Sequence, residues 1–226
     1  MTRLFLPLFM AGFLAAAPSA LEVARDRQDR AALEKMVNDY AAAAAQAPND
    51  ADAQYRLALA ASYTAEVLLE QRNKKEAQKA AERGIKAAEK AVSLKPDTAE
   101  YYRLLGTLYG QASTDLLSGL SYGPRARDAI NKAVAKAPNS SSVYVARGVG
   151  NYYLPAQLGG GIAQAVADFR KAIALDARNA EAWLWLGLGL RKESKDAEAR
   201  QAFTKALELN PNRVWVKQQL DKTPAQ

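Results

Sequence analysis

Any chemistry in this sequence must come from carboxylates, hydroxyls, lysines or tyrosines, because its 226 residues include neither histidine nor cysteine. That absence removes thiol nucleophiles, thiolate metal sites, disulfides and every mechanism that uses an imidazole to carry protons. Ser140, Ser141 and Ser142 are consecutive hydroxyls, but they follow Pro138 in the manner of a helix start, and no base stands by to activate them. Asp and Glu sit mostly beside Lys or Arg, the pattern of outer helix faces and not of carboxylates converging for acid–base work. Gly159, Gly160 and Gly161 form a triplet whose backbone N–H groups could line a turn for an anion or small ligand. No Lys-Ser/Thr pair follows, so the triplet is not a nucleotide loop. These residues predict a chain with no catalytic residues, no metal site and no cofactor.

Charge gives no nucleic-acid signature. The formal net charge is +7, and acidic and basic residues alternate with no long block of one sign. The densest cluster, Arg72, Lys74, Lys75 and Lys79, is broken by Glu76 and reads as a solvated face. At the amino terminus, Met1 to Arg3 form a short positive start, Leu4 to Ala17 carry no charge, and small residues run from Ala15 to Ala20. That order predicts a secretory signal peptide over residues 1–20, cleaved near Ala17 to Ala20, and a periplasmic or secreted protein. The apolar run is shorter than the roughly 20 residues a membrane-spanning helix needs, so no transmembrane segment is expected after cleavage.

The elements behind these residues are helices. Leu33, Met36, Val37, Tyr40 and Ala44 recur at three- and four-residue steps, which places them on one helical face. Alanine-rich charged segments follow, punctuated by Pro48, Pro96, Pro138 and Pro211, which act as helix stops. Laid over one another, the segments repeat. The last unit has Trp183, Leu186, Gly187 and Leu190, then Ala199, Phe203, Ala206 and Pro211; before it come Tyr144, Gly148, Ala165, Phe169 and Ala172. Tyr102, Leu105, Gly106 and Tyr109 with Ala126, Ile130 and Ala133 form another unit, and Leu57, Ala58, Gly84, Ala88 and Ala91 a divergent first one.

These offsets resemble the tetratricopeptide repeat (TPR). The resemblance implies an all-α fold, a right-handed α-solenoid of stacked antiparallel helix pairs. The units fall at about 49–96, 97–138, 139–177 and 178–211, after an N-terminal flanking helix at 21–48. A capping helix is expected in 212–226, opened by Asn210 as N-cap and Pro211 as first residue, with fraying beyond Leu220. Irregular turns within units two and three are expected at Ser118 to Pro124 and at Pro155 to Gly161. The Tyr-Tyr-Leu-Pro and Gly-Gly-Gly stretch is also similar to an insertion in exported TPR proteins associated with TRAP-type transporters.

In the family the concave face, lined by the first helix of each pair, holds a peptide or protein segment. Carried onto this sequence, the inward positions include Tyr55, Tyr63, Arg103, Tyr152, Tyr153, Leu184, Leu188 and Arg191, an apolar and aromatic face with a few arginines. The partner implied is a protein or peptide, with an envelope transporter or assembly among the candidates. The alternative is that flanking helices cover the stripe and make it core. A second functional reading is a solute-binding or transporter-accessory protein with a pocket near Gly159 to Gly161.

Overall fold

A computed structural model describes residues 18–225; the run Met1 to Ala17, on which the signal-peptide expectation chiefly rests, lies outside them. Among the described residues there are eleven α-helices and no strand. Four antiparallel pairs form the array: α3 (Ala51–Glu70) with α4 (Lys74–Leu94), α5 (Ala99–Ala112) with α6 (Leu116–Lys136), α7 (Ser141–Tyr153) with α8 (Ile162–Leu175), and α9 (Ala180–Lys192) with α10 (Asp196–Leu209). Before them come α1 (Ala20–Asp26) and α2 (Arg30–Gln46), and after them α11 (Val214–Asp221). The four stop prolines each stand two residues past a helix end, after Gln46, Leu94, Lys136 and Leu209. Starts are marked by side chains that accept from free amides, Asp50 for α3, Asn73 for α4 and Asn179 for α9.

The repeat pattern is a packing pattern. Phe203 and Phe169 are fully buried, and each ring lies against a glycine of the first helix in its own pair, Gly187 and Gly148 respectively. Ile130 occupies the same place against Gly106. The last three pairs thus each bring a large side chain onto a bare backbone, whereas in the first Gly84 of α4 meets Leu108 of the next pair, and the stripes left over are buried by the neighbouring pairs. On α2, Leu33, Val37 and Ala44 are buried, with Met36 and Tyr40 packed against the cluster that holds Leu33 and Val37.

Four expectations about local structure need correction. Ser118 to Pro124 is not a turn: α6 runs unbroken through it, and the turn lies at Ser113 to Asp115. Asp115 caps the helix by accepting from the Ser118 amide at 2.8 Å, Thr114 donates to Gln78 at 3.0 Å, and Tyr122 stacks on Tyr109 at 5.9 Å. Contacts with α4 and α5 therefore outweigh the cost of Pro124 inside the helix. This first stretch of α6 leaves Leu116, Leu117 and Leu120 exposed. At the other end, α10 stops at Leu209 and α11 starts only at Val214, so Pro211 lies in a turn and Arg213 stands at the N-cap. The chain just after Leu220 is held as far as Thr223, which is buried and whose carbonyl accepts from Arg200 at 2.6 Å. Finally, the N-terminal flank is two helices, joined by a turn in which Gln28 takes a left-handed φ of 56°.

A methyl group added at Gly187 would stand 2.6 Å from the Phe203 ring, which has no room to retreat. Gly187→Ala should cost about 1–3 kcal/mol by overpacking. Gly150 has nothing within 4 Å, so Gly150→Ala should stabilise its helix by up to about 1 kcal/mol. Thermal unfolding of the two variants tests this ranking, and the reverse order contradicts it.

Candidate functional site

The inward face of α3 carries Tyr63, Glu66 and Glu70 at i, i+3 and i+7, and α9 carries Glu181, Trp185 and Leu188 at i, i+4 and i+7. The short helix α1 bridges the two faces. The Arg25 guanidinium lies 4.8 Å over the Tyr63 ring and 3.4 Å from Glu181, while Leu21 and Ala24 pack into the cluster around Val67. Next to it, Asp26 accepts from Asn210 at 2.7 Å and lies 3.7 Å from Arg213. Arg213 is 1% exposed and also meets Glu66 at 2.5 Å, Glu181 at 3.3 Å and Glu70. Gln28 completes the seam, donating to Glu70 at 2.8 Å and accepting from Gln218 at 3.3 Å. The first and last described helices thus meet across the concave side, and the solenoid closes on itself.

The cluster holds two guanidiniums, Arg25 and Arg213, against four carboxylates, Asp26, Glu66, Glu70 and Glu181. Burial pushes the Glu66 carboxyl up to about 7, even with Arg213 and Arg25 opposing. Burial also raises Glu70. Glu181 is held below the usual carboxylate range because Arg25 and Arg213 outweigh its burial. For Arg213, burial disfavours the charge, but Glu181, Glu66 and Glu70 hold it well above its ordinary value.

Beside this charged half is an aromatic half. Tyr152 and Tyr153 at the end of α7 meet edge to face at 5.0 Å, both contact Trp185 at 5.7 and 6.2 Å, and Trp185 meets Trp215 of α11 at 5.6 Å. Tyr153 is 70% exposed, so the cluster opens to solvent. The Arg213 guanidinium lies 5.6 Å over Trp215 and joins the two halves.

The expected site residues divide accordingly. Tyr152 and Tyr153 lie in the aromatic cluster and Tyr63 in the charged half. Tyr55 stacks on Tyr101 at 5.2 Å and donates to Glu100 at 2.8 Å. Arg103 is not a free cation, since it is paired with Glu100 at 2.6 Å. Arg191 is spent on the C-terminal helix, reaching the Gln219 side chain at 2.7 Å. Leu184 and Leu188, expected on the open groove, are 0% and 4% exposed; they belong to the cluster of Phe169 and Val216 and are core, because neighbouring helices and α11 cover them. The amides of Gly159, Gly160 and Gly161 all donate to backbone carbonyls, of Ala156, Pro155 and Asn151. Their left-handed φ values, 84° at Gly159 and 116° at Gly161, shape a plain turn with no donor left for an anion. Ser141 donates to the Ala172 carbonyl and acts as a structural tie.

Sequence reasoning missed Asp26, Glu66, Glu70, Glu181, Trp185 and Arg213. A signal was present in Glu66 and Glu70: two like charges four residues apart in an apolar stretch, an unfavourable pair unless something neutralises it. Among the described residues no His/Cys/Asp/Glu group is placed to hold a metal ion, and no helix is long and apolar enough to cross a membrane.

Because folded Glu66 keeps its proton where the unfolded chain, with an ordinary value of 4.5, has released it, stability should fall as pH rises from about 4.5 to 7. Glu70 acts in the same direction, whereas carboxylates held low by arginines, such as Glu100 beside Arg103, act at lower pH. Urea unfolding at pH 5 and pH 7 should differ by about 2 kcal/mol from the Glu66 contribution. Glu66→Gln should remove most of that difference, and an unchanged pH dependence contradicts the assignment.

Comparison with known proteins agrees with this architecture. Residues 159–214 match the family model described as tetratricopeptide repeat. No curated protein matches the chain. A thermophilic TPR protein from Thermus thermophilus shares 18% identity at a TM-score of 0.63, over 85% of this chain and 91% of that one. A MamA structure from Desulfovibrio magneticus RS-1 overlays more loosely, with a TM-score of 0.46 and 17% identity over 88% of this chain and 99% of that one. The chain folds as an α-solenoid of stacked helix pairs similar to that of a solved TPR protein, and residues 159–214 match the tetratricopeptide repeat model.

Proposed function

We propose that the protein is a non-catalytic scaffold, periplasmic or secreted, that binds a protein or peptide segment on its concave side. The observation that carries this reading is the aromatic cluster of Tyr152, Tyr153, Trp185 and Trp215, contributed by α7, α9 and α11 and open at Tyr153. Large aromatic side chains that are pre-packed yet partly open give contact area at little cost in side-chain freedom, and they are enriched among residues that dominate protein interfaces. The TPR fold favours such a role, since its stacked pairs present one continuous face. Export is supported by the order of residues 1–20 and by a cysteine-free composition suited to an oxidising compartment.

Two measurements test this. A Tyr153→Ala, Trp185→Ala double variant, checked for folding by circular dichroism, should lose a protein that the parent captures from an envelope extract. A loss of about 2 kcal/mol corresponds to roughly 30-fold weaker binding. An identical capture profile for the two chains contradicts the aromatic site. Mass spectrometry of the protein from its source should show a chain shortened by about 17 to 20 residues, the span of the cleavage region argued from the signal-peptide order. An intact Met1 contradicts export by this route.

A further inference from the structure

We propose that α1 is an internal ligand of the concave face, and that the partner which replaces it is a helical segment of the same chemistry: two apolar residues three positions apart, followed by an arginine–carboxylate pair. This deepens the binding role proposed above and rests on it. Without α1, the face presents Glu66, Glu70 and Glu181 against the single guanidinium of Arg213, a buried surface with more carboxylates than cations. Arg25 sets a second guanidinium between Tyr63 and Glu181 and Asp26 enters beside it, so α1 docks as an ion pair and leaves the carboxylate excess of the face unchanged. Asp26 then accepts from the Asn210 side chain at 2.7 Å and lies 3.7 Å from the Arg213 guanidinium. Leu21 and Ala24, at i−4 and i−1 from Arg25, fill the apolar floor beside Val67.

The seat is specific, and the apolar part of the hold is slight. The helix is only seven residues long, buries just those two apolar side chains, and is joined to α2 through a turn with left-handed Gln28. Segments with so few apolar contacts open far more readily than the core they rest on. A partner helix with an Arg–Asp or Arg–Glu pair can therefore take the seat while α1 swings out on its turn. The seat adjoins Trp215 and the open aromatic cluster, so one continuous segment can use both.

The test uses the full chain and a fluorescent peptide spanning residues 18–29. Leu21→Asp in the protein unseats α1 without altering the face beneath it. That variant should bind the peptide at least about tenfold more tightly than the parent chain, whose own α1 competes at high effective concentration. The same peptide with Arg25→Ala should bind the variant at least about tenfold more weakly, as expected for loss of a buried ion-pair partner. Equal binding to both proteins, or by both peptides, overturns the proposal. If Leu21→Asp does not fold, amide hydrogen exchange on the parent chain decides. Amides of α1 should exchange at least about tenfold faster than those of α3, and amides of both that open together overturn it. The two proposals fail separately. Partner capture that depends on Tyr153 without trans binding of the peptide leaves the aromatic site and removes the internal ligand, whereas trans binding without such capture does the opposite.

Discussion

A guanidinium with 1% of its side chain exposed cannot keep its charge unless the protein surrounds it with acceptors, and the placement of Arg213 organises much of this molecule. Its partners come from α1, α3 and α9, elements far apart in sequence that meet only if the superhelix turns by the right amount. Buried ion clusters of this kind are poor sources of net stability, because removing the charges from water costs about what their attraction returns. Their contribution is geometric. A stack of similar pairs has no intrinsic end point, and here the cluster sets where the first element meets the last.

That closure explains why the concave side is neither an empty groove nor a solid core. Close to Arg213 the face is charged and occupied by α1; further along α7 and α9 it is aromatic and opens at Tyr153. The raised proton affinity of Glu66 belongs to the same arrangement, since four carboxylates around two guanidiniums are most readily buried when one is neutral. Catalytic roles find little support in these groups. The strongly perturbed carboxylates face arginines and not a cavity, and the serines singled out in the sequence are tied to a backbone carbonyl or to each other.

Local features of the fold were legible because they repeat. The pairing of Gly187 with Phe203, Gly148 with Phe169 and Gly106 with Ile130, and the stop prolines after α2, α4, α6 and α10, recur at similar places in most units and reflect contacts between neighbours. What was not legible depends on long-range partners. Pro124 and its neighbouring glycines carry the local signal of a turn, yet Gln78, Glu82 and Tyr109 hold them helical. Leu184 and Leu188 have the spacing of groove residues, but α11 and the adjacent helices make them core. Arg191 finds its partner in Gln219, 28 residues on, whereas Arg103 is the local exception, paired with Glu100 three residues before it. The closing cluster joins residues at opposite ends of the chain, so no local window contains it.

The claim that the two ends are joined can be tested directly, because the chain has no native cysteine to interfere with labelling. Spin labels on Arg27→Cys and Asn212→Cys, exposed positions beside the Asp26–Asn210 contact, report that separation by pulsed electron resonance. A closed solenoid gives one narrow distribution at the short limit of the method, which broadens and lengthens when Arg213→Ala is added. A broad or long distribution in the otherwise unaltered chain would contradict the closure and the occupied concave face that depends on it.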